Sequence, residues 1–255
     1  MKVLLAFLLI STASALQASD TAKEARWAKQ VVDFLLDGEV EYLKVDGHEF
    51  LSIYTEADDE SNKAIIVVHG AGVHPDWAQV VKPVRVDMVT MGWNTLSIQM
   101  PILHNEAEYE EYVPLYPQVP ARFQAAETFL KDLGMEHIVI VAHSQGATMS
   151  TYYLSRNASD VKALVAVGMQ ATQKDVHINS GKSLESIAIP VLDLYGSKDL
   201  EGVLETVDSR KQAAANNPKY QQMVTEGAEH FYDGYETELV ESISGWLESL
   251  SLSVR

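Results

Sequence analysis

Residues 138–149 read IVIVAHSQGATM, and this stretch decides the fold. Its first half is an apolar run rich in β-branched residues, which is typical of a buried strand, and its second half is compatible with a helix. Ser144 stands between the halves, with the small residues Ala142 and Gly146 two positions before and after it. A larger side chain at either position would clash where strand and helix close around a turn. The stretch predicts a strand, a sharp turn that projects the serine oxygen, and a helix; the alternative is an ordinary buried strand followed by a polar turn.

An acid and a histidine follow later in the chain, each after an apolar strand pattern. Residues 189–199 read IPVLDLYGSKD and end at Asp199, and residues 227–232 read GAEHFY and contain His230. The chain between the three polar residues is long enough for one or two strand–helix units. This order, serine then aspartate then histidine, resembles that of the α/β-hydrolase arrangement.

A glycine-containing turn precedes these segments. Residues 64–72 read AIIVVHGAG, an apolar strand that opens into His-Gly-X-Gly. Glycines there let backbone N–H groups turn inward, towards an oxygen that becomes negative during a reaction. The alternative is a tight turn that simply ends a strand. His69 is expected to order this loop rather than to transfer protons.

On these motifs the chain resembles the α/β-hydrolase superfamily from about residue 49 to the C-terminus, most nearly its short, exported, bacterial esterase-like members. The resemblance implies that Ser144, His230 and Asp199 act as nucleophile, base and acid. It also implies that the backbone amides near Ala71 and of Gln145 form an oxyanion hole. The chain departs from the usual pattern at the first small position of the turn, where alanine replaces glycine.

The remaining pattern predicts one domain with a mostly parallel central sheet and helices on both faces, since continuous apolar strands alternate with helices. An alternating edge strand is expected at 49–55, and core strands are expected at 64–69, 95–99, 138–142, 163–168, 189–195 and 221–225. Helices are expected at 20–37, 77–91, 120–133, 147–156, 204–216 and 235–250. The first helix should bury Trp27, Val31, Phe34 and Leu35, which repeat at helical spacing.

Ligands bind beyond the carboxyl ends of the strands in such sheets, so the loops at that edge are candidates for contacting a substrate. They span residues 73–77, 101–120 and 169–186. The second loop carries several tyrosines and prolines, and it forms either an aromatic wall of the site or a stiff surface loop. The third is too short for a helical cap domain, so a minimal lid is expected.

Composition limits the function classes. The chain has 255 residues, 47% of them hydrophobic, which suits one large α/β domain. It has no cysteine, which excludes disulfides, thiolate zinc sites and a cysteine nucleophile. The formal net charge of −17 opposes binding to nucleic acids. The acidic runs at 56–60 and 106–111 lack the ligand spacing of a calcium loop, so they are interpreted as solvated charge, and no metal or cofactor is expected.

The N-terminus predicts export. Lys2 precedes an apolar run at 3–10 and the small residues STASA. This is typical of a signal peptide, residues 1–15, with cleavage after Ala15 or, alternatively, after Ala18. The run is too short for a membrane span, which needs roughly 20 apolar residues. The domain at 20–255 is therefore expected in a bacterial periplasm or outside the cell; the alternative is that the apolar run is a buried amphipathic helix.

Other acids and histidines compete for the same roles. Asp193 lies inside its predicted strand and is expected to face the sheet or to pair with a helix, so Asp199 is preferred as the acid. His143 adjoins the serine but, as a sequence neighbour, should point away from it. His74 and His104 are expected in loops and are candidates for lining a pocket. Only His230 follows the last predicted strand.

Two classes of function remain open. The first is a serine hydrolase that cleaves carboxylic esters of a small-molecule acyl substrate, with acyl transfer or peptide cleavage as variants that use the same residues. The second is a catalytically silent scaffold of the same fold that binds a partner in the cell envelope, because fold alone does not determine function. The sequence names neither the natural substrate nor the oligomeric state.

Overall fold

The computed structural model describes residues 19–250. Its strands are β1 (Glu39–Val45), β2 (His48–Thr55), β3 (Lys63–Val68), β4 (Asn94–Ile98), β5 (His137–His143), β6 (Leu164–Val167), β7 (Val191–Lys198) and β8 (Tyr220–Glu229). Its α-helices are α1 (Thr21–Phe34), α2 (Val81–Asp87), α3 (Val119–Asp132), α4 (Gln145–Arg156), α5 (Ser180–Leu184), α6 (Glu201–Leu204), α7 (Val207–Ala213) and α8 (Glu236–Ser249). Two 3-10 helices span Met88–Met91 and Tyr109–Gln118.

The strands form one sheet in the order β1-β2-β4-β3-β5-β6-β7-β8. β2 runs antiparallel to both of its neighbours, and the pairs from β4 through β8 are parallel. This is the single-domain, mostly parallel α/β-hydrolase architecture that the sequence predicts. Its parallel part brings the carboxyl ends of β3, β5, β7 and β8 to one edge.

Both faces of the sheet are covered, which explains why its central strands are apolar along their whole length. On β3, Ile66 and Val68 belong to a core cluster with residues of α3 and α4, and Ile65 and Val67 belong to another with residues of α2 and α8. Neighbouring residues of a strand point to opposite faces, so each strand feeds both clusters. A third, smaller cluster joins α1 to β2.

Three predicted features are wrong in detail. The strand predicted at 49–55 as an edge strand lies inside the sheet as β2, and β1, for which no strand was predicted, lies outside it at that edge. Leu43 is the one buried residue of β1, because an edge strand of an otherwise covered sheet needs little apolar surface. The helix expected at 204–216 is split into α6 and α7, and the one expected at 77–91 begins only at Val81.

The first helix buries only part of the predicted face: Val31 is buried and Trp27 and Leu35 are half-buried, but Phe34 is not. The buried residues of α1 are Lys23, Glu24, Ala28 and Val31, whereas Phe34 is 79% exposed. Burial of charged residues in place of an apolar one shows that α1 packs against polar backbone as well as against the core. The partners of those charged side chains lie at the edge of the sheet that carries the candidate site.

Two of the three edge loops are ordered by short helices. Residues 169–186 contain α5 and an isolated bridge between Ala171 and Asn179, so this segment forms no cap domain. Residues 101–120 are mostly the 3-10 helix Tyr109–Gln118. The predicted signal peptide lies outside the described residues. Within residues 19–250, no helix combines the length and the apolar character needed to cross a membrane.

Candidate active site

Ser144 alone forms the turn between β5 and α4. Its backbone has φ 54° and ψ −121°, and a positive φ outside the helical regions costs a non-glycine residue free energy. Its amide donates to the carbonyl of Val167 at 2.8 Å, and its carbonyl accepts from the amide of Ala147 at 3.0 Å. These contacts fix the peptide units on either side, so the strained turn persists at the strand end.

The two small residues around the serine differ in how much room they have. A Cβ atom at Gly146 would lie 2.4 Å from the carbonyl oxygen of His69 and 2.9 Å from that of Val68. Glycine is therefore required where α4 crosses the end of β3. Ala142 sits in β5 between Val68 and Ala166 and is buried, so its methyl group is accommodated in the sheet.

The structure brings Ser144, His230 and Asp199 into one hydrogen-bonded chain. Nδ1 of His230 lies 2.5 Å from Oδ1 of Asp199, and Nε2 lies 2.9 Å from Oγ of Ser144. Because a carboxylate only accepts, Nδ1 carries the proton, and a neutral imidazole then accepts the serine hydroxyl at Nε2. The aspartate follows β7 directly and the histidine follows β8 directly, so the ends of two parallel strands bring them together.

A glycine at the end of β6 makes room for the imidazole. Gly168 has φ 61°, and a Cβ atom there would lie 2.9 Å from Cε1 and Nδ1 of His230. Its amide donates to the carbonyl of Leu194 in β7 at 2.9 Å, which keeps it in the plane of the sheet. The imidazole therefore occupies space that any larger residue at this position would fill.

Asp199 is held as a carboxylate. Burial opposes ionisation, but the imidazole of His230 and the amides of Leu200 and Gly196 outweigh it and lower the pKa of Asp199 below its ordinary value. The amide of Leu200 donates to Oδ1 at 2.8 Å and that of Gly196 to Oδ2 at 3.3 Å. A carboxylate in this position orients the imidazole and stabilises it when it takes up a proton.

The turn after β3 lies against the serine. A Cβ atom at Gly70 would be 3.2 Å from Cβ of Ser144, and Gly72 has φ 71°, so both glycines allow a close, tight turn. Ala71 lies exposed between them. The amide of Gln145 is the first in α4, and the first amides of a helix have no acceptor within it. The two amides predicted to form an oxyanion hole thus belong to backbone segments that flank Ser144.

His69 orders this turn through both ring nitrogens. Nδ1 donates to the carbonyl of Gly70 at 2.7 Å, and Nε2 accepts from the amide of Met100 at 2.9 Å and from the side chain of Gln99 at 2.8 Å. Burial lowers the pKa of His69 to about 3, so the ring stays neutral, as an acceptor at Nε2 requires. These contacts agree with the loop-ordering role expected from the sequence.

The tyrosines of the 3-10 helix lie beneath the rim rather than as an open wall. Tyr112 and Tyr116 are both buried, and Nε2 of Gln145 donates to the hydroxyl of Tyr116 at 2.8 Å. The hydroxyl of Tyr109 lies 2.6 Å from Oγ1 of Thr148 in α4. Tyr112 and Tyr116 fit neither of the two alternatives left open for this segment, because both are buried. The hydroxyl groups of Tyr109 and Tyr116 brace α4.

The competing residues have other partners. Asp193 forms a buried ion pair with Arg210 of α7, with Oδ2 2.7 Å from Nε, and also accepts from Tyr220 at 2.5 Å. His74 packs between the rings of Trp27 and Trp77 at centroid distances of 4.8 and 5.4 Å. Neither residue contacts the serine–histidine–aspartate chain.

The contact between His143 and the backbone of His230 could not be predicted from the sequence. His143 does not bond to Ser144; its Nε2 lies 3.0 Å from the backbone carbonyl of His230. Nothing in a local pattern signals a contact between residues so far apart in the chain. A histidine within an otherwise apolar strand end is the one hint that a polar partner is needed there.

One protein-family model matches almost the whole length of this chain. The matched segments are residues 3–114 and 105–249, and the family is described as a protein of unknown function, DUF3530. The chain belongs to the DUF3530 family. No curated protein matches it.

Solved structures of similar fold include esterases and hydrolases. Est1E from Butyrivibrio proteoclasticus has a TM-score of 0.66 at 15% identity, covering 85% of this chain and 100% of its own. An alpha-beta serine hydrolase homologue from Coxiella burnetii has a TM-score of 0.65 at 18% identity, covering 83% of this chain and 98% of its own. Thermogutta terrifontis esterase 2 has a TM-score of 0.69 at 14% identity, covering 87% and 98%. At such identities the likeness establishes the α/β-hydrolase fold.

Proposed function

We propose that this protein is a serine hydrolase that cleaves carboxylic esters through an acyl-enzyme intermediate. The observation that carries the proposal is the hydrogen-bonded chain from Ser144 through His230 to Asp199, with distances of 2.9 and 2.5 Å. A serine hydroxyl is a weak nucleophile unless a base removes its proton during attack. The imidazole is within reach of that proton without any movement of the backbone.

In the first half-reaction, Oγ of Ser144 attacks the ester carbonyl carbon while its proton passes to Nε2 of His230. A new C–O bond forms, and the carbonyl oxygen takes the electron pair of the double bond. When this intermediate collapses, the bond to the alcohol breaks and the imidazolium returns its proton to the departing oxygen. Water then attacks the acyl-serine, with the imidazole again taking and returning one proton, and a carboxylic acid leaves.

The negative oxygen of each intermediate needs nearby donors. The amides of Ala71 and Gln145 are proposed for this role, because the turn of Gly70 and the start of α4 lie on either side of Ser144. Backbone donors that are fixed before the reaction begins need no reorganisation at the moment of charge formation.

An ester that is partly apolar and carries no negative charge fits the surroundings best. Phe231 is 44% exposed and meets the ring of His230 edge-on at a centroid distance of 5.1 Å, and Leu200, next to Asp199, is 53% exposed. Both offer apolar surface beside the reacting groups. The net charge of −17 disfavours approach of anionic substrates.

Export is part of the proposal, and it rests on the apolar run at 3–10 and the small residues that follow, outside the described residues. A cysteine-free chain neither needs nor suffers from an oxidising compartment. Detection of the mature protein in a periplasmic or culture-medium fraction, with its N-terminus at residue 16 or 19, tests this. Retention of the intact N-terminus in the cytosol would contradict it.

A fluorophosphonate probe tests the mechanism without knowledge of the natural substrate. We expect the protein to be labelled at Ser144, and we expect it to hydrolyse short acyl nitrophenyl esters. Ser144→Ala should abolish labelling and lower turnover on the order of a million-fold, as loss of the nucleophile does in other serine hydrolases. Ser209→Ala, which changes an exposed serine of α7, is the matched control and should leave both unchanged.

Equal hydrolysis by the Ser144→Ala variant would contradict the mechanism. A parent protein that resists the probe and every ester, yet binds an envelope partner, would favour the silent-scaffold hypothesis. If Ser144 is labelled but the acyl group passes faster to an added alcohol or amine than to water, the activity is acyl transfer. If Ser144 is labelled and an amide substrate is cleaved, the activity is peptide cleavage.

A further inference from the structure

The N-terminal helix α1 and the two residues before it are bonded to the backbone that borders the candidate site. The amide of Ile102 donates to Oγ of Ser19 at 2.8 Å, and the amide of Asp20 donates to the carbonyl of Ile102 at 2.8 Å. The next carbonyl of that segment, that of Leu103, accepts a hydrogen bond from Nζ of Lys23 at 2.8 Å. Helix α1 therefore holds the segment that leaves β4, immediately beside the turn after β3.

Leu103 links this helix to the turn at residues 70–72, whose Ala71 amide is a proposed donor of the oxyanion hole. The amide of Leu103 donates to the hydroxyl of Tyr112 at 3.3 Å, and the same hydroxyl lies against Gly72. A Cβ atom at Gly72 would lie 3.4 Å from Nζ of Lys23 and 3.7 Å from the hydroxyl of Tyr112. An ammonium group and a phenol hydroxyl thus lie together against the back of the turn that presents Ala71.

The burial of Lys23 needs an explanation. Its residue is only 5% exposed, although taking an ammonium group out of water costs free energy unless it is well bonded. Burial also lowers the pKa of Lys23. A lysine on a surface helix can normally keep its head group in water. Here it is turned inward onto one backbone carbonyl next to the site.

Helix α1 is itself anchored firmly enough to act as a support. Glu24 is buried, and its carboxylate accepts hydrogen bonds from both terminal nitrogens of Arg122, at 3.1 and 2.9 Å. Arg122 also donates to the carbonyl of Gln99 at 2.8 Å. Trp27 packs against His74 at a centroid distance of 4.8 Å, which holds the far end of the same loop. The helix thus contacts the β3 and β4 loops at several separate points.

We propose that Lys23 and Tyr112 are positioning residues of the proposed ester hydrolysis. Through Leu103 and Gly72 they hold the turn at residues 70–72 in the conformation that aims the amide of Ala71 at the developing negative oxygen. Neither residue touches the substrate. The inference rests on the proposed function, and it adds the N-terminal helix to the parts of the fold on which turnover depends.

Four variants separate positioning from general packing. Lys23→Met keeps the length of the side chain but loses the donor, and Tyr112→Phe removes only the hydroxyl. Lys29→Met changes an exposed lysine of the same helix, and Tyr42→Phe changes a half-exposed tyrosine of β1. Circular dichroism and thermal unfolding of each variant establish that the fold survives.

With a short acyl nitrophenyl ester, Lys23→Met and Tyr112→Phe should each lower kcat about 10- to 100-fold and leave KM within about threefold, because a displaced oxyanion donor weakens only the transition state. The rate of fluorophosphonate labelling should fall in parallel. Lys23→Arg, which keeps a donor, should recover part of the loss. The two control variants should match the parent.

Hydrogen–deuterium exchange provides a readout that does not depend on activity. Tyr112→Phe should accelerate exchange of the amides of Gly72 and Leu103, and Lys23→Met should accelerate exchange across residues 69–73 and 102–104, while the controls should not. Unchanged exchange together with unchanged kcat would overturn the positioning role. If the parent were inert to the probe, the proposed function would fail, and exchange in the same variants would still decide whether these residues hold the turn.

Discussion

Nε2 of His143 donates a hydrogen bond to the backbone carbonyl of His230, 3.0 Å away, and the two rings lie 4.8 Å apart between centroids. On its other side, Nδ1 of His143 would be 3.5 Å from a Cβ atom at Gly70. One buried imidazole therefore contacts the segments that follow β3 and β8 while belonging to the strand that presents Ser144. It ties three separate strand ends into one site.

This contact predicts that His143 supports turnover without taking part in proton transfer. His143→Leu should lower kcat about 10- to 100-fold with little change in KM, because small displacements of a base are costly. His143→Gln, which retains an N–H donor at a similar reach, should restore most of the rate. Steady-state kinetics on a short acyl ester measure both values. Equal activity of the leucine variant and the parent would show that the carbonyl of His230 needs no support.

The two buried aspartates should separate into a catalytic and a structural role. Asp199→Asn should reduce kcat roughly 10⁴-fold while the fold survives, because the imidazole loses its orienting carboxylate. Asp193→Asn should leave kcat within a few-fold but lower the free energy of unfolding by roughly 3 kcal/mol, since Arg210 is left buried with no counter-charge. Kinetics and urea unfolding of both variants test the assignment, and the reverse outcome would transfer the acid role to Asp193.

Glycine at position 146 should be indispensable. Gly146→Ala should prevent folding to a soluble, active protein, because the added methyl group would lie 2.4 Å from a backbone carbonyl. Gly245→Ala is the matched control in the exposed middle of α8, where an added Cβ atom meets no other atom within 4 Å. It should raise the free energy of unfolding by about 1 kcal/mol through helix propensity. An active, stable alanine variant at position 146 would mean that α4 can move away from β3.

Buried histidines should make the protein sensitive to mild acid. Burial lowers the pKa of His69 and of His143 to about 3, from an ordinary value of 6.5. Between these pH values the unfolded chain binds protons that the folded chain does not, so stability falls as pH decreases through 6.5 and continues to fall towards 3. At pH 5, each of the two histidines should have cost about 2 kcal/mol of the stability measured at neutral pH.

Urea unfolding at about pH 7.5 and pH 5 measures this loss. His143→Gln should remove about 2 kcal/mol of the difference, because glutamine does not titrate. A stability that stays level across this range would mean that the two rings are solvated or paired when protonated. That result would also contradict the neutral form of His69, on which its hydrogen bond from Met100 depends.

The elements that could be predicted are those whose cause is local. A run of β-branched residues buries both faces of a strand wherever it lies, and the small residues around Ser144 demand a tight turn whatever follows. The serine, aspartate and histidine each follow a predicted strand, and parallel strands bring their carboxyl ends to one edge. For the same reason the positions of Asp199 and His230 after β7 and β8 could be inferred before any distance was known.

What the amino-acid order determined by itself was thus the class of fold, the sharp turn at Ser144 and the strand ends that meet there, since each follows from periodicity and residue size. Tertiary structure alone decided that β1 is the edge strand, that Lys23 turns inward and that His143 supports His230. These depend on partners far away in the chain. A hydrogen bond between residues far apart in the chain forms only when tertiary packing brings donor and acceptor together, and no local sequence pattern specifies that pairing.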